Sequence, residues 1–189
     1  MKFLQLIVLA VFCVSCGVQS IPQTLNEVDA SWAEVLNQYK RRNDLIPNLV
    51  NTVKGYAKHE KETLEAVMNA RAEATKMTVD ASTLTEENMK KIQQSQQGLS
   101  QALGRLMMVT ERYPDLKANE NFKDLQAQLE GTENRITTAR RRYIETVKDF
   151  NNLVTVFPTN LTNSLFFHHE KKPQFNITEE EKAAPKVQF

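Results

Sequence analysis

The chain has 189 residues, enough to bury a continuous core without disulfides or metals, and short enough for a single domain. Its 24 Lys plus Arg nearly cancel 23 Asp plus Glu, so no net field draws in a polyanion, and nucleic acid is excluded as an expected partner. Five Gly and six Pro stand against many Gln, Glu, Lys, Ala and Leu, a balance that predicts an all-α fold of long helices.

Lys2 precedes the apolar run Phe3 to Val14, broken by Gln5, and Ser15-Cys16-Gly17 follows: a positive end, an apolar stretch and small residues, the pattern of a secretory signal. The run is well short of the roughly 20 residues a membrane-spanning helix needs. Val14-Ser15-Cys16-Gly17 is similar to a bacterial lipobox, with Cys13 where that pattern usually has Leu. On this reading residues 1–16 are a signal and anchor segment and Cys16 is the lipid attachment point; plain signal cleavage and a short membrane helix are the rival readings. More than one acyl chain would hold the protein firmly, since a single chain binds a bilayer only marginally. The processed chain would keep no free thiol, because the other cysteine lies in the removed segment.

Thr24-Leu25-Asn26-Glu27 reads as a capping box, and Leu25, Val28, Trp32, Val35 and Tyr39 recur at helical spacing, predicting a first helix over about 24–42. Lys40-Arg41-Arg42 suits a helix C-terminus, and Asn43 can take the left-handed conformation that ends one. A reversal is expected there, with Asp44 and Pro47 opening the next helix; one kinked continuous helix is the other possibility. The second helix is expected over about 44–77, on the stripe Leu45, Leu49, Val53, Tyr56, Glu60, Thr63, Val67, Ala70 and Ala74. Thr83-Leu84-Thr85-Glu86 is a second capping box, opening a third helix that ends before Pro114. The stripe Phe122, Leu125, Leu129, Thr132, Ile136, Ala139, Tyr143, Phe150 and Leu153 predicts a fourth helix up to Pro158. Its period of about 3.5 residues fits side-by-side coiling and points to an antiparallel up-and-down four-helix bundle over residues 17–158. Residues 159–189 form a partly docked, short helical or extended C-terminal tail.

No constellation points to catalysis, a cofactor or a bound metal. His59-Glu60 lacks the second His of a zinc-protease helix, since position 63 is Thr, and the chain has no Glu-x-x-His of the di-iron type. His168-His169-Glu170 reads as a solvated tail, because adjacent helical residues diverge and no further His or Cys stands nearby. Glu60 falls on an apolar stripe and needs a cation, with Arg135, Arg140 and Arg142 as candidates, or partial exposure. Lys40-Arg41-Arg42, Arg140-Arg141-Arg142 and the run Gln93-Gln94-Ser95-Gln96-Gln97 are read as solvated faces.

Arg41-Arg42-Asn43-Asp44-Leu45-Ile46-Pro47-Asn48-Leu49-Val50, continuing through Val53-Lys54-Gly55-Tyr56-Ala57 to His59-Glu60, closely resembles the LemA family. Ala70-Arg71-Ala72, the stretch Glu111 to Asn119, Phe122, Leu125, Glu133, Ile136, Ala139-Arg140, Phe157-Pro158 and Asn160 fall where that family has its pattern. The likeness spans roughly residues 25–175. It implies a membrane-associated antiparallel four-helix bundle whose biochemical activity is unresolved; a magnetosome membrane protein belongs to the family. The sequence departs at Ile144, where Asn is commoner, and in its lipobox-like anchor, where many members have a transmembrane helix.

A first helix of about 28 Å beside a fourth of about 52 Å leaves half the bundle without a fourth helix. The groove expected beside residues 63–77, 83–98 and 138–156, with Leu161 to Phe167 able to fold over it, is the candidate site for a protein partner. With Cys16 close to so short a first helix, the bundle is expected to lie along the membrane. The functional expectation is a membrane-anchored, non-catalytic interaction or scaffold protein. It would use no cofactor, and most of its chain would lie outside the bacterial cytoplasm, on the periplasmic side. A carrier of a hydrophobic ligand and an enzyme with a site in the bundle core are the alternatives.

Overall fold

The computed structural model describes residues 2–77 and 79–175, with side chains from residue 18 onward. Its helices are α1 (Lys2–Tyr56), α2 (Lys61–Lys76), α3 (Glu86–Thr110), the short α4 (Pro114–Ala118), α5 (Glu120–Thr155) and α6 (Thr159–Thr162). A 3-10 turn, Ala81–Thr83, precedes α3, and a π-helical turn, Asn163–Phe167, follows α6. There is no strand among the described residues, and the molecule is all-helical. None of its described helices is long and apolar enough to cross a membrane.

Of the two arrangements open at Asn43, the continuous one is present. Residues 24–42 and the start of the expected second helix are one helix, α1, and neither the reversal at Asn43 nor the capping box at Thr24 exists. Packing explains this. Ile21, Val28, Trp32, Val35 and Tyr39 are buried on the near side of Asn43 and Ile46, Leu49 and Val53 on the far side, so a single helical stripe runs through. Pro47 lies inside α1, not in a first turn. A proline has no N–H for the carbonyl four residues earlier, here that of Asn43. Arg71 Nε on α2 donates to this Asn43 oxygen at 2.8 Å and supplies the missing hydrogen bond from a neighbouring helix.

The expected second helix is likewise redrawn, because the chain reverses at 57–60. Ala57 is fully buried, and the Glu60 carboxylate accepts from Arg112 Nη2 at 2.8 Å and Tyr113 Oη at 3.1 Å. Glu60 therefore has its cation, but Arg112 at the end of α3 provides it, and none of Arg135, Arg140 or Arg142 does. The third helix starts at the second capping motif, shifted by two residues: Thr85 Oγ1 accepts from the Asn88 N–H. Asn119 caps α5 in the same way, accepting from the Phe122 N–H at 3.0 Å.

Helix directions follow from these contacts. Along α1, Ser31 meets Thr146, Trp32 meets Tyr143, Arg42 meets Glu133 and Tyr56 meets Asn119, so α1 and α5 run antiparallel over almost the whole of α5. Helix α2 returns from Glu60 to bring Arg71 and Thr75 back beside Asn43. Two apolar clusters result. One joins α1 residues up to Tyr39 with Met89 and Ile92 of α3 and with α5 from Ile136 onward; the other joins α1 from Ile46 with Leu64, Val67, Leu99, Leu106 and Phe122.

Helix α2 ends at Lys76 and leaves the first cluster with three long helices. The fourth side is closed by extended backbone. Phe175 sits 6.0 Å from the Trp32 ring and 5.5 Å from that of Tyr143. The Tyr143 hydroxyl donates to Pro173 O at 3.0 Å, and the Asn151 side chain both donates to Lys172 O and accepts from its N–H. On the other flank the Trp32 indole N–H donates to Val79 O at 2.8 Å, holding the segment before the 3-10 turn. The expected cover, Leu161 to Phe167, is in place only at Phe167, which packs on this cluster; Leu161, Leu165 and Phe166 are exposed, and residues 172–175 close the face. Since α1 is one helix of 55 residues, about 80 Å at 1.5 Å per residue, the short first helix behind the flat-lying geometry is absent.

Candidate functional site

Between the two apolar clusters lies a polar layer. Arg42, 2 % exposed, donates from Nη1 to Glu133 Oε1 at 2.6 Å and to Ser100 Oγ at 3.0 Å, and from Nη2 to Gln96 Oε1. Its guanidinium also lies 5.7 Å from the centre of the Tyr39 ring. One side chain thus ties α1 to α3 and α5 at a single level. A buried guanidinium is tolerable when its charge is met, and here one carboxylate and two neutral acceptors meet the charge and take donors from both terminal nitrogens, while Nε has no hydrogen-bond partner. Glu133 remains 42 % exposed at its side chain, so the pair reaches water on one side. Beside it is a cavity of about 170 Å³, lined among others by Gln93, Gln97, Thr137 and Arg140.

Arg42 and Gln96 were both expected on solvated faces, and both are buried. The physical reason is the continuity of α1. Extended past Tyr39, the stripe passes through Arg42 to Ile46, whereas a helix ended at Asn43 would put Arg42 in a frayed last turn. Gln96 likewise falls between the buried Ile92 and Leu99 on α3. The sequence signal was therefore present in the spacing and was hidden by the wrong boundary.

The layer offers no nucleophile with an adjacent base. Burial pushes the Tyr39 hydroxyl above its ordinary value of 10.0 despite nearby Arg140 and Arg42, and burial also raises Tyr143, so both are neutral phenols. No group of three or more His, Cys, Asp and Glu is poised around a common point among the described residues. His168 is exposed at a left-handed residue, φ 56°, while His169 stacks on Phe167 at 5.8 Å and is not a solvated residue.

Two surfaces remain. The expected partner groove, closed on its apolar side by residues 172–175, survives as an open cleft of about 740 Å³ lined by Glu86, Glu87, Lys90 and Lys171 with Pro173 and Gln174. Its lining is charged with both signs. The other surface is apolar and lies at the end of α5, where Val156, Phe157, Leu161, Leu165 and Phe166 are exposed. The predicted attachment residue, Cys16, falls within the bounds of α1, but its side chain lies outside the described residues.

Known proteins share much of this chain. A relative in Metamycoplasma hominis, Protein LemA, is 26 % identical over 135 residues, covering 71 % of this chain and 58 % of that protein. Two proteins of Paramagnetospirillum magneticum, Magnetosome protein MamQ 1 and MamQ 2, are each 36 % identical over 63 residues, or 33 % of this chain and 23 % of theirs. The chain thus spans little more than half the length of the first relative and about a quarter of the others. The model of the LemA family matches residues 31–189, which takes in the continuous part of α1, the polar layer and the docked tail, and by that match the chain belongs to the LemA family.

Proposed function

We propose that this chain is a membrane-anchored, non-catalytic protein that presents an interaction surface on a helical body at a bacterial membrane. The observation that supports it best is the unbroken course of α1 from Lys2 to Tyr56. Cys16 and the buried spine of the body belong to one helix, so whatever holds the N-terminus at Cys16 also sets the position of the body. We read the packing as an antiparallel up-and-down four-helix bundle, with α1, α2, α3 and α5 as its members and residues 159–189 as the tail. Residues 1–16 serve as the anchor segment, with Cys16 as the acylated residue, and the body lies on the periplasmic side. The charged cleft between α3 and the tail is the surface we assign to an unidentified protein partner, through complementary charge and not through an apolar stripe. Neither a cofactor nor nucleic acid enters this reading.

The test of placement is Cys16→Ser in the full chain, followed by cell fractionation and metabolic labelling with a fatty-acid analogue. Loss of the label and a shift of protein out of the membrane fraction are expected. Retention of label, or unchanged membrane recovery, would count against acylation at this residue.

A further inference from the structure

The exposed apolar side chains at the end of α5 are neither scattered nor small. Leu165 is 64 % exposed, Phe166 61 % and Phe157 69 %, with Val156 and Leu161 beside them in the sequence. Single exposed apolar residues are ordinary on any protein, but a group of large ones in one place marks a surface that is covered in use. Charge is missing there too. No Asp, Glu, Lys or Arg occurs from Phe150 to Phe167, and none occurs from Phe3 to Asn26.

The fold brings these two uncharged stretches to the same end of the molecule. Antiparallel pairing of α1 with α5 sets Ser31 against Thr146 and Trp32 against Tyr143, so α5 finishes beside the uncharged part of α1. Helix α6 packs directly on α1, and Phe167 joins the cluster that holds Ile21 and Val154. Charged residues resume at Glu27 and Asp29 on α1, at Lys148 and Asp149 on α5 and at Glu170 and Lys171 on the tail, bounding an uncharged cap. Asn163 keeps the cap compact: its side chain donates to His169 O and accepts from the His169 N–H, both at 3.0 Å. Leu165 and Phe166 are thereby held outward by a closed turn.

The occupant that fits is a lipid surface. Cys16 lies on α1 at this same end, so the cap sits where the acylated N-terminus would meet a bilayer. Apolar and aromatic side chains without charge suit the boundary between headgroups and acyl chains. We infer that the cap formed by Val156 to Phe167 dips into the lipid surface beside α1 and seats the body end-on. This rests on the membrane-anchored reading above and adds a second contact to the single tether.

The test uses the full chain reconstituted into phosphatidylcholine vesicles with brominated acyl chains, carrying Phe166→Trp, Phe157→Trp or Met108→Trp. Trp32 of the unsubstituted chain, 1 % exposed, provides the baseline, and Met108, 66 % exposed towards the opposite end, the control. The expected result is loss of most of the added emission, with a blue shift, for the two cap variants and none for Met108→Trp. If the chain floats with vesicles while the cap tryptophans stay unquenched, docking is overturned and the anchor reading stands. A chain that does not float removes both. Equal quenching at Met108→Trp would mean that the body lies along the surface, and overturns end-on seating. Unquenched cap tryptophans together with concentration-dependent crosslinking through the cap would assign the surface to a second copy.

Discussion

Arg42 shows how one residue can set a register. Aliphatic side chains on α1, α3 and α5 would pack nearly as well if one helix slid by a turn, whereas the guanidinium finds Gln96, Ser100 and Glu133 together at one level only. Buried polar groups of this kind add specificity more reliably than stability. Replacing Arg42 by Met should lower stability by about 1–3 kcal/mol, because Gln96 loses its donor while the half-exposed Glu133 regains water. Urea unfolding of the detergent-solubilised chain measures this. The paired change Arg42→Met with Gln96→Leu should recover much of the loss; if it falls further, the layer is a net source of stability and the register argument is wrong.

At the scale of elements, α1 depends on α2 for its own backbone bonding. Pro47 withholds an N–H, and Arg71 replaces it at the Asn43 carbonyl, with Asn43 Nδ2 and Thr75 Oγ1 adding a second link at 3.3 Å. A double-mutant cycle tests the compensation. Arg71→Ala alone should cost about 1–3 kcal/mol for a carbonyl left unsatisfied. In the Pro47→Ala background the restored amide bonds the same carbonyl, so Arg71→Ala should cost about 1 kcal/mol less. Simple additivity, measured by thermal or urea unfolding, would mean that the proline and the arginine are unrelated. The same pairing explains why the motif from Arg41 to Val50 misleads when read locally. Cations, then Asn, Asp and Pro are the signals of a helix end followed by a helix start, and only a residue 28 positions on in the chain reverses that meaning.

For the molecule as a whole, Tyr39 and Tyr143 tie stability to alkaline pH. Burial holds both hydroxyls above the ordinary 10.0, so each is protonated in the folded chain at a pH where the unfolded chain has lost that proton. Their contribution is complete below pH 10.0 and declines above it, by up to about 1.4 kcal/mol per pH unit for each tyrosine until the folded chain titrates as well. Chemical denaturation followed between pH 9 and pH 11 should show this fall, and Tyr143→Phe should flatten it. The helical class, the capping motif at the start of α3 and the core face of α5 were legible in the sequence, because each depends on spacing within one segment. Glu60's need for a cation was legible too, but not that Arg112 meets it, since the choice among arginines depends on where the chain turns. Burial of Arg42, the absence of a break at Asn43 and the docking of Phe175 belong to the tertiary structure. A local code of caps and prolines weighs a few hydrogen bonds, and packing between distant segments supplies or withholds those same bonds. What the sequence determined alone is that these segments are amphipathic helices with an apolar N-terminus; which polar residues go inside, and which apolar ones stay out at the cap, was decided only when α1 and α5 were set side by side.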